Sequence, residues 1–247
     1  MGKKISLYIV LFLLLAAVLF ASSCAFTVSI SSDTTPVDTA ADDTMPADTD
    51  NADTQTDIDD SLEGCLFIGD SRTVGLEMAG SLAEADFFCA VGQMVADITD
   101  VELYFDGSYC DLCEVLSGRE YRKIYIMLGI NDIATDLDEV AKKFSELIDL
   151  VRSYQPGSKI IIEANLHVTT ARSYYGDAFN NDKVDLLNRK LKALADGSSI
   201  FWLDANPILD DDYGGLRTEY AEEDGIHPNF GCYVMWGEWI ALQNVKY

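Results

Sequence analysis

From residue 64 onward the chain alternates short apolar runs with stretches of helical periodicity, and this alternation constrains its fold more than any other feature. Five runs have the length and the branched or aromatic content of buried strands: Cys65–Ile68, Asp86–Val91, Lys123–Leu128, Lys159–Glu163 and Ile200–Leu203. Between them Val74–Leu82, Leu137–Tyr154 and Lys183–Ala195 carry helix-type spacing, and Tyr233–Gln243 closes the chain in the same way. In the second of these, Val140, Phe144, Leu147, Ile148 and Val151 recur at intervals of three and four. Lys142, Lys143 and Glu146 fall on other faces, so one side of that helix is suited to lie on a sheet. Sustained strand and helix alternation predicts an α/β fold, a three-layer α/β/α sandwich around a five-stranded, mainly parallel sheet. Ligands of such sheets bind beyond the carboxyl ends of the strands, so chemistry is expected there.

The residues before this region have a different character. Lys3 and Lys4 precede an almost unbroken apolar run from Ile5 to Phe20, which reads as an export signal over residues 1–23. Ala21-Ser22-Ser23-Cys24 then resembles a bacterial lipoprotein cleavage site, with Ala21 where Leu is usual, which makes Cys24 the candidate for lipidation. The uncharged stretch continues to Ile30, so an uncleaved transmembrane anchor is the alternative. Either way the expectation is an exported domain, tethered to a membrane on its extracytoplasmic face. Residues 24–63 are rich in Asp, Thr, Ser and Ala, with no Lys or Arg and no aromatic residue beyond Phe26. Such composition does not bury enough apolar surface to offset chain entropy, and a disordered acidic tether is expected, leaving residues 64–247 as one folded domain.

Charge excludes one class of partner. The formal net charge is −25, of which Asp33 to Glu63 carries −11 and residues 64–247 carry −16. Nucleic acid binding needs a concentrated basic surface, and no basic stripe exists here. Setting Cys24 aside leaves Cys65, Cys89, Cys110, Cys113 and Cys232, an odd number. Cys110-Asp-Leu-Cys113 has the spacing of half a zinc site, but no second pair is present to complete four ligands. Small buried hydrophobes, or one local disulfide, are the readings that remain.

The unusual residues collect at the carboxyl ends of the expected strands. The first strand runs into Gly69-Asp70-Ser71-Arg72, the second ends near Gly92, the third ends in Gly129-Ile130-Asn131-Asp132, and Asp224-Gly225-Ile226-His227-Pro228 stands near the C-terminus. With these blocks in this order the sequence resembles the SGNH/GDSL hydrolase family, whose signature blocks centre on Ser, Gly, Asn and His. The resemblance spans the region from Cys65 to the final helix. It implies the flavodoxin-like sheet order 2-1-3-4-5, Ser71 as nucleophile, Asp224 and His227 as acid and base, and Ser71, Gly92 and Asn131 as donors of an oxyanion hole.

Elementary chemistry supports the same roles. Serine is a weak nucleophile until a base takes its proton, and of the side chains only His167 and His227 offer an imidazole for that task. Asp224 lies three residues before His227, close enough for a tight turn to bring its carboxylate to the ring. Gly92 is also open to reading as a turn glycine. Asp70 and Asp132 flank the site and are assigned to helix capping or turn bracing, outside the catalytic set. Arg72 stands where the family's namesake motif has Leu, and either contacts an anionic or carbohydrate substrate or pairs with an acidic neighbour. His167 follows the fourth strand and either lines the substrate pocket or is a satisfied structural histidine.

The resemblance implies acyl transfer through an acyl-Ser71 intermediate, with an ester as substrate and no metal or organic cofactor. Exported location, acidic surface and aromatic-bearing loops (Tyr174, Tyr175, Tyr213, Tyr220) favour short-chain O-deacetylation of an acylated glycan. Lysophospholipase, thioesterase and O-acyltransferase activities are the alternatives within the fold. A non-catalytic glycan- or wall-binding module is the alternative of another class.

Overall fold

The hydrophobic strand β1 (Cys65–Gly69) is buried at every position, which is what a central strand covered on both faces requires. The computed structural model describes residues 61–244 and Lys246. The expected export signal, the Cys24 site and the tether up to residue 60 lie outside the described residues. After β1 come α1 (Ser71–Ala79), β2 (Asp86–Cys89), β3 (Leu103–Phe105), β4 (Ser108–Cys110), α2 (Leu112–Gly118), β5 (Lys123–Met127) and α3 (Leu137–Tyr154). They are followed by β6 (Lys159–Glu163), α4 (Thr170–Ser173), α5 (Asn181–Lys192), β7 (Ile200–Leu203), α6 (Asn206–Leu209) and α7 (Phe230–Asn244).

Five strands form one sheet in the order β2-β1-β5-β6-β7, and every pairing is parallel. This is the expected order, with a β3-β4 hairpin inserted between the second and third strands of the sequence reading. Alternation along the strands sends Ile68, Ile124, Ile126, Ile160 and Ile162 to one face, where they meet α2, α3 and α5. Phe67, Tyr125, Met127 and Ile161 take the other face, where Leu76 of α1 and Tyr233, Trp236 and Ile240 of α7 cover them. The Phe67 and Tyr125 rings stack there with centroids 4.4 Å apart. Two apolar layers on one sheet give the three-layer sandwich.

Element ends differ from the sequence reading for local reasons. Helix α1 starts at Ser71 instead of Val74 because the Asp70 side chain caps it, accepting the Arg72 amide at 2.9 Å. Strand β2 stops at Cys89 because the chain turns, with the Gln93 amide bonded to the Ala90 carbonyl and Gly92 at φ +78°. Asn180 caps α5 through the Lys183 amide and so moves its start to Asn181. The folded region also reaches further toward the N-terminus than expected: Leu62, assigned by composition to the tether, is buried in the α7-side core. Arg122 and Asn244 hold this stretch, through the Gly64 carbonyl at 2.8 Å and the Ser61 carbonyl at 2.9 Å. Among the described residues no helix is long and apolar enough to cross a membrane.

Candidate active site

Each block singled out in the sequence lies just beyond the carboxyl end of a strand or on a loop facing that edge. At the end of β1, a Cβ on Gly69 would fall 1.8 Å from Thr73 Oγ1, so only glycine lets the strand turn this sharply into α1. The turn places Ser71 at the first helical position, where its backbone N–H has no helical acceptor. Ser71 Oγ lies 2.9 Å from His227 Nε2. His227 Nδ1 lies 2.6 Å from Asp224 Oδ2.

The loop holding His227 organises itself. Asp224 Oδ1 accepts the backbone amides of Ile226 at 2.8 Å and His227 at 3.0 Å, so one carboxylate fixes both the turn and the ring. Gly225 adopts φ +67° and sits so close to the cap of α4 that an added Cβ would fall 2.7 Å from Thr169 Oγ1. Partial burial pushes the Asp224 carboxyl up, but the bonds from the His227 ring and from the His227 and Ile226 amides together bring it below its ordinary value. Ionised, Asp224 only accepts, so Nδ1 carries the ring proton of a neutral imidazole and Nε2 offers its lone pair to the Ser71 hydroxyl.

Asn131 stands on a 3₁₀ turn after β5, reached through Gly129 at φ +115°. Its side-chain amide donates to the Gln93 carbonyl at 3.0 Å, next to Gly92. The neighbouring Asp132 carboxylate accepts the Val95 amide at 3.0 Å, and the Ala90 amide bonds the Gly69 carbonyl at 3.3 Å. The loop bearing Gly92 is thereby fastened at one end to the strand that leads to Ser71 and at the other to the turn that bears Asn131. Burial pushes the Asp132 carboxyl up, with the Val95 and Ala96 amides opposing. Among the described residues the N–H groups of Ser71 and Gly92 have no protein acceptor, and Asn131 uses one of its two N–H groups. Asp70 and Asp132 thus brace the site, the roles expected of them.

Two candidates are corrected. Arg72 neither faces a substrate nor pairs with a carboxylate: it is 1% exposed, and its amino groups donate to the Leu166 carbonyl at 2.9 Å and the Ile226 carbonyl at 3.0 Å. A guanidinium presents a rigid fork of donors, and two carbonyls from neighbouring loops engage its amino groups while Nε has no protein partner. His167 is a satisfied histidine, not a pocket group at Ser71. Its Nδ1 lies 2.7 Å from Asp210 and its Nε2 3.1 Å from Asp185, beside a small polar cavity of about 150 Å³ that includes Trp202 and Asp204 but none of the Ser71 set. Burial would lower its pKa, and the two carboxylates outweigh this and raise it. Both ring nitrogens are directed at carboxylates, so neither is turned toward Ser71. Cys89, Cys110, Cys113 and Cys232 are free thiols, so among the described residues the local disulfide is not formed.

A doubly covered parallel sheet with a serine, a histidine and a carboxylate in hydrogen-bonded sequence at its carboxyl edge defines the SGNH class of hydrolase fold. The chain belongs to the GDSL-like lipase/acylhydrolase family, whose pattern it matches over residues 67–230, and is by that membership an ester hydrolase. Solved structures share the fold at low sequence identity. A GDSL-like lipase from Bacteroides thetaiotaomicron is 18% identical with a TM-score of 0.56, over 74% of this chain and 87% of its own. Est24, a carbohydrate acetylesterase from Sinorhizobium meliloti, is 19% identical with a TM-score of 0.52, over 72% of this chain and 96% of its own. A carbohydrate esterase family 3 protein from Talaromyces cellulolyticus is 14% identical with a TM-score of 0.50, over 74% and 97%. No curated protein sequence matches the chain.

Proposed function

We propose that the protein is a serine esterase that removes short acyl groups, chiefly acetyl, from an extracellular polysaccharide. The observation that carries this reading is the chain of contacts from Ser71 through His227 to Asp224, at 2.9 and 2.6 Å. His227 Nε2 takes the Ser71 proton as Oγ attacks the ester carbonyl, and Asp224 holds the ring and stabilises the imidazolium that results. The Ser71 and Gly92 N–H groups and the spare Asn131 N–H receive the tetrahedral oxyanion; each such donor lowers the barrier by about 2.7–4 kcal/mol. His227 then gives its proton to the departing alcohol, and water, activated by the same ring, releases the acid from Ser71.

The choice of substrate rests on two supports. A carbohydrate acetylesterase and a carbohydrate esterase family 3 protein stand among the proteins of the same fold. The folded region is itself strongly acidic, which favours neutral acetylated glycans over anionic phospholipid surfaces. Export and attachment through Cys24 complete the proposal, and they place the enzyme on the extracytoplasmic side where such polymers lie. Assay of the purified domain against acetylated xylan, acetylated peptidoglycan, short-chain p-nitrophenyl esters and lysophospholipids, with Ser71→Ala as control, tests it. Acetate release from the acetylated polymers, absent in Ser71→Ala, is expected. Activity confined to lysophospholipids would contradict the assignment.

A further inference from the structure

We propose that Arg72 is a positioning residue that sets His227 over Ser71. This rests on the catalytic reading of Ser71 and His227 given above. Arg72 follows the nucleophile in the chain, and Ile226 precedes the histidine. Their bond, from the Arg72 amino group to the Ile226 carbonyl at 3.0 Å, therefore runs beside the 2.9 Å contact between Ser71 Oγ and His227 Nε2. The second amino group reaches the Leu166 carbonyl at 2.9 Å, so the loop after β6 fixes the guanidinium from the far side.

The environment is built around that fork. Arg72 is 1% exposed, in a region where a charge is costly to hold without compensation. Among the described residues no carboxylate lies within ion-pair distance of it, and Nε has no protein partner. Asp70 and Asp224 act on the guanidinium from beyond ion-pair distance, and Asp70 is itself fully buried with Oδ2 unpartnered. Among the described residues no carboxylate bonds the guanidinium directly, so its two carbonyl bonds are what fix its position. Those bonds tie together α1, the loop after β6 and the histidine loop, three segments far apart in sequence.

The histidine loop is otherwise ordered mostly within itself. Asp224 bonds the Ile226 and His227 amides and the ring, and these contacts would travel with the loop if it shifted. The Thr169 amide also holds the turn, donating to the Gly225 carbonyl at 2.8 Å, and the Arg72 bond connects the next residue directly to the helix that bears Ser71. Loss of the fork is expected to let the imidazole move relative to Oγ while leaving the Asp224–His227 pair intact. A displacement of about 1 Å at reacting groups lowers a rate by roughly 10²-fold.

The test compares wild type, Arg72→Lys, Arg72→Met and Ser71→Ala on p-nitrophenyl acetate, with thermal melting to report folding. The low-field Nδ1 proton of His227 is followed by NMR. Arg72→Met is expected to lose about 10–100-fold in kcat with KM within about twofold, and Arg72→Lys to lose less, because an ammonium still reaches one carbonyl. The Nδ1 resonance persists in both. Wild-type kcat in a folded Arg72→Met variant overturns the proposal, as does a change confined to KM. If Arg72→Met fails to fold, Arg72→Lys decides: a fall in kcat with KM unchanged supports positioning, and unaltered kcat or failure of both variants to fold overturns it. Activity surviving in Ser71→Ala would instead remove the catalytic reading on which the proposal stands.

Discussion

Asp132 holds Val95 by its backbone amide at 3.0 Å, and so joins the turn bearing Asn131 to the loop bearing Gly92. Two donors expected to meet the same oxyanion are thereby kept in register by a residue that touches no substrate. Asp132→Ala leaves buried amide groups without their acceptor, which destabilises by about 1–3 kcal/mol and loosens the loop. Steady-state kinetics are expected to show kcat lowered by about tenfold with KM little changed. Unaltered kcat in a folded Asp132→Ala protein would detach the loop's anchoring from catalysis.

Asn131 itself is expected to act on the transition state alone. Asn131→Ala should lower kcat by about 10²–10³-fold with little effect on KM, because the lost N–H serves the oxyanion and not the ground-state ester. A rise in KM at constant kcat would instead mark Asn131 as a substrate-binding group.

The two histidines are expected to separate cleanly. His227→Ala should remove several orders of magnitude from turnover, since no other imidazole approaches Ser71. His167→Ala should spare kcat and lower thermal stability, because Asp210 and Asp185 then lose the donor they share. An inactive but folded His167→Ala protein with an active His227→Ala protein would reverse the assignment.

Much of this was legible in the sequence because the site is carried by contiguous blocks at strand ends. Five apolar runs marked the five sheet strands, and Asp224-x-x-His227 marked its turn by spacing alone. The β3-β4 hairpin was missed, although Asp106-Gly107 between aromatic residues is its signal: both positions take positive φ and close a tight turn. Arg72 was misread because an arginine in an acidic protein suggests an ion pair, and its actual partners are backbone carbonyls. Carbonyls leave no trace in residue type. His167 looked like a candidate base for the same reason: Asp185 and Asp210, which occupy its nitrogens, are brought to it by α5 and by the segment after α6. Leu62 was lost in a polar tract, where a single apolar residue carries no periodicity.

Glu163 gives a pH dependence of stability that is independent of catalysis. Burial pushes this carboxyl from its ordinary value near 4.5 up to about 8. The folded state keeps its proton while the unfolded chain loses it, so between those two values the folded state binds more protons and stability falls as pH rises. The slope is about 1.4 kcal/mol per pH unit for one group at full effect, ending above the folded-state value. Denaturant titrations of wild type and Glu163→Gln from pH 4.5 to 8.5 should show the mutant's curve flatter and its stability higher at the alkaline end. Parallel curves would show that Glu163 ionises normally.

The central claim, that Ser71 is the nucleophile and His227 its base, is tested most directly by covalent trapping. Treatment of the purified domain with a fluorophosphonate, followed by peptide mass spectrometry, should place a single stoichiometric adduct on Ser71. Ser71→Ala should take none, and His227→Ala should label slower by orders of magnitude. An adduct on another residue, or undiminished labelling of Ser71 in a folded His227→Ala protein, would contradict it.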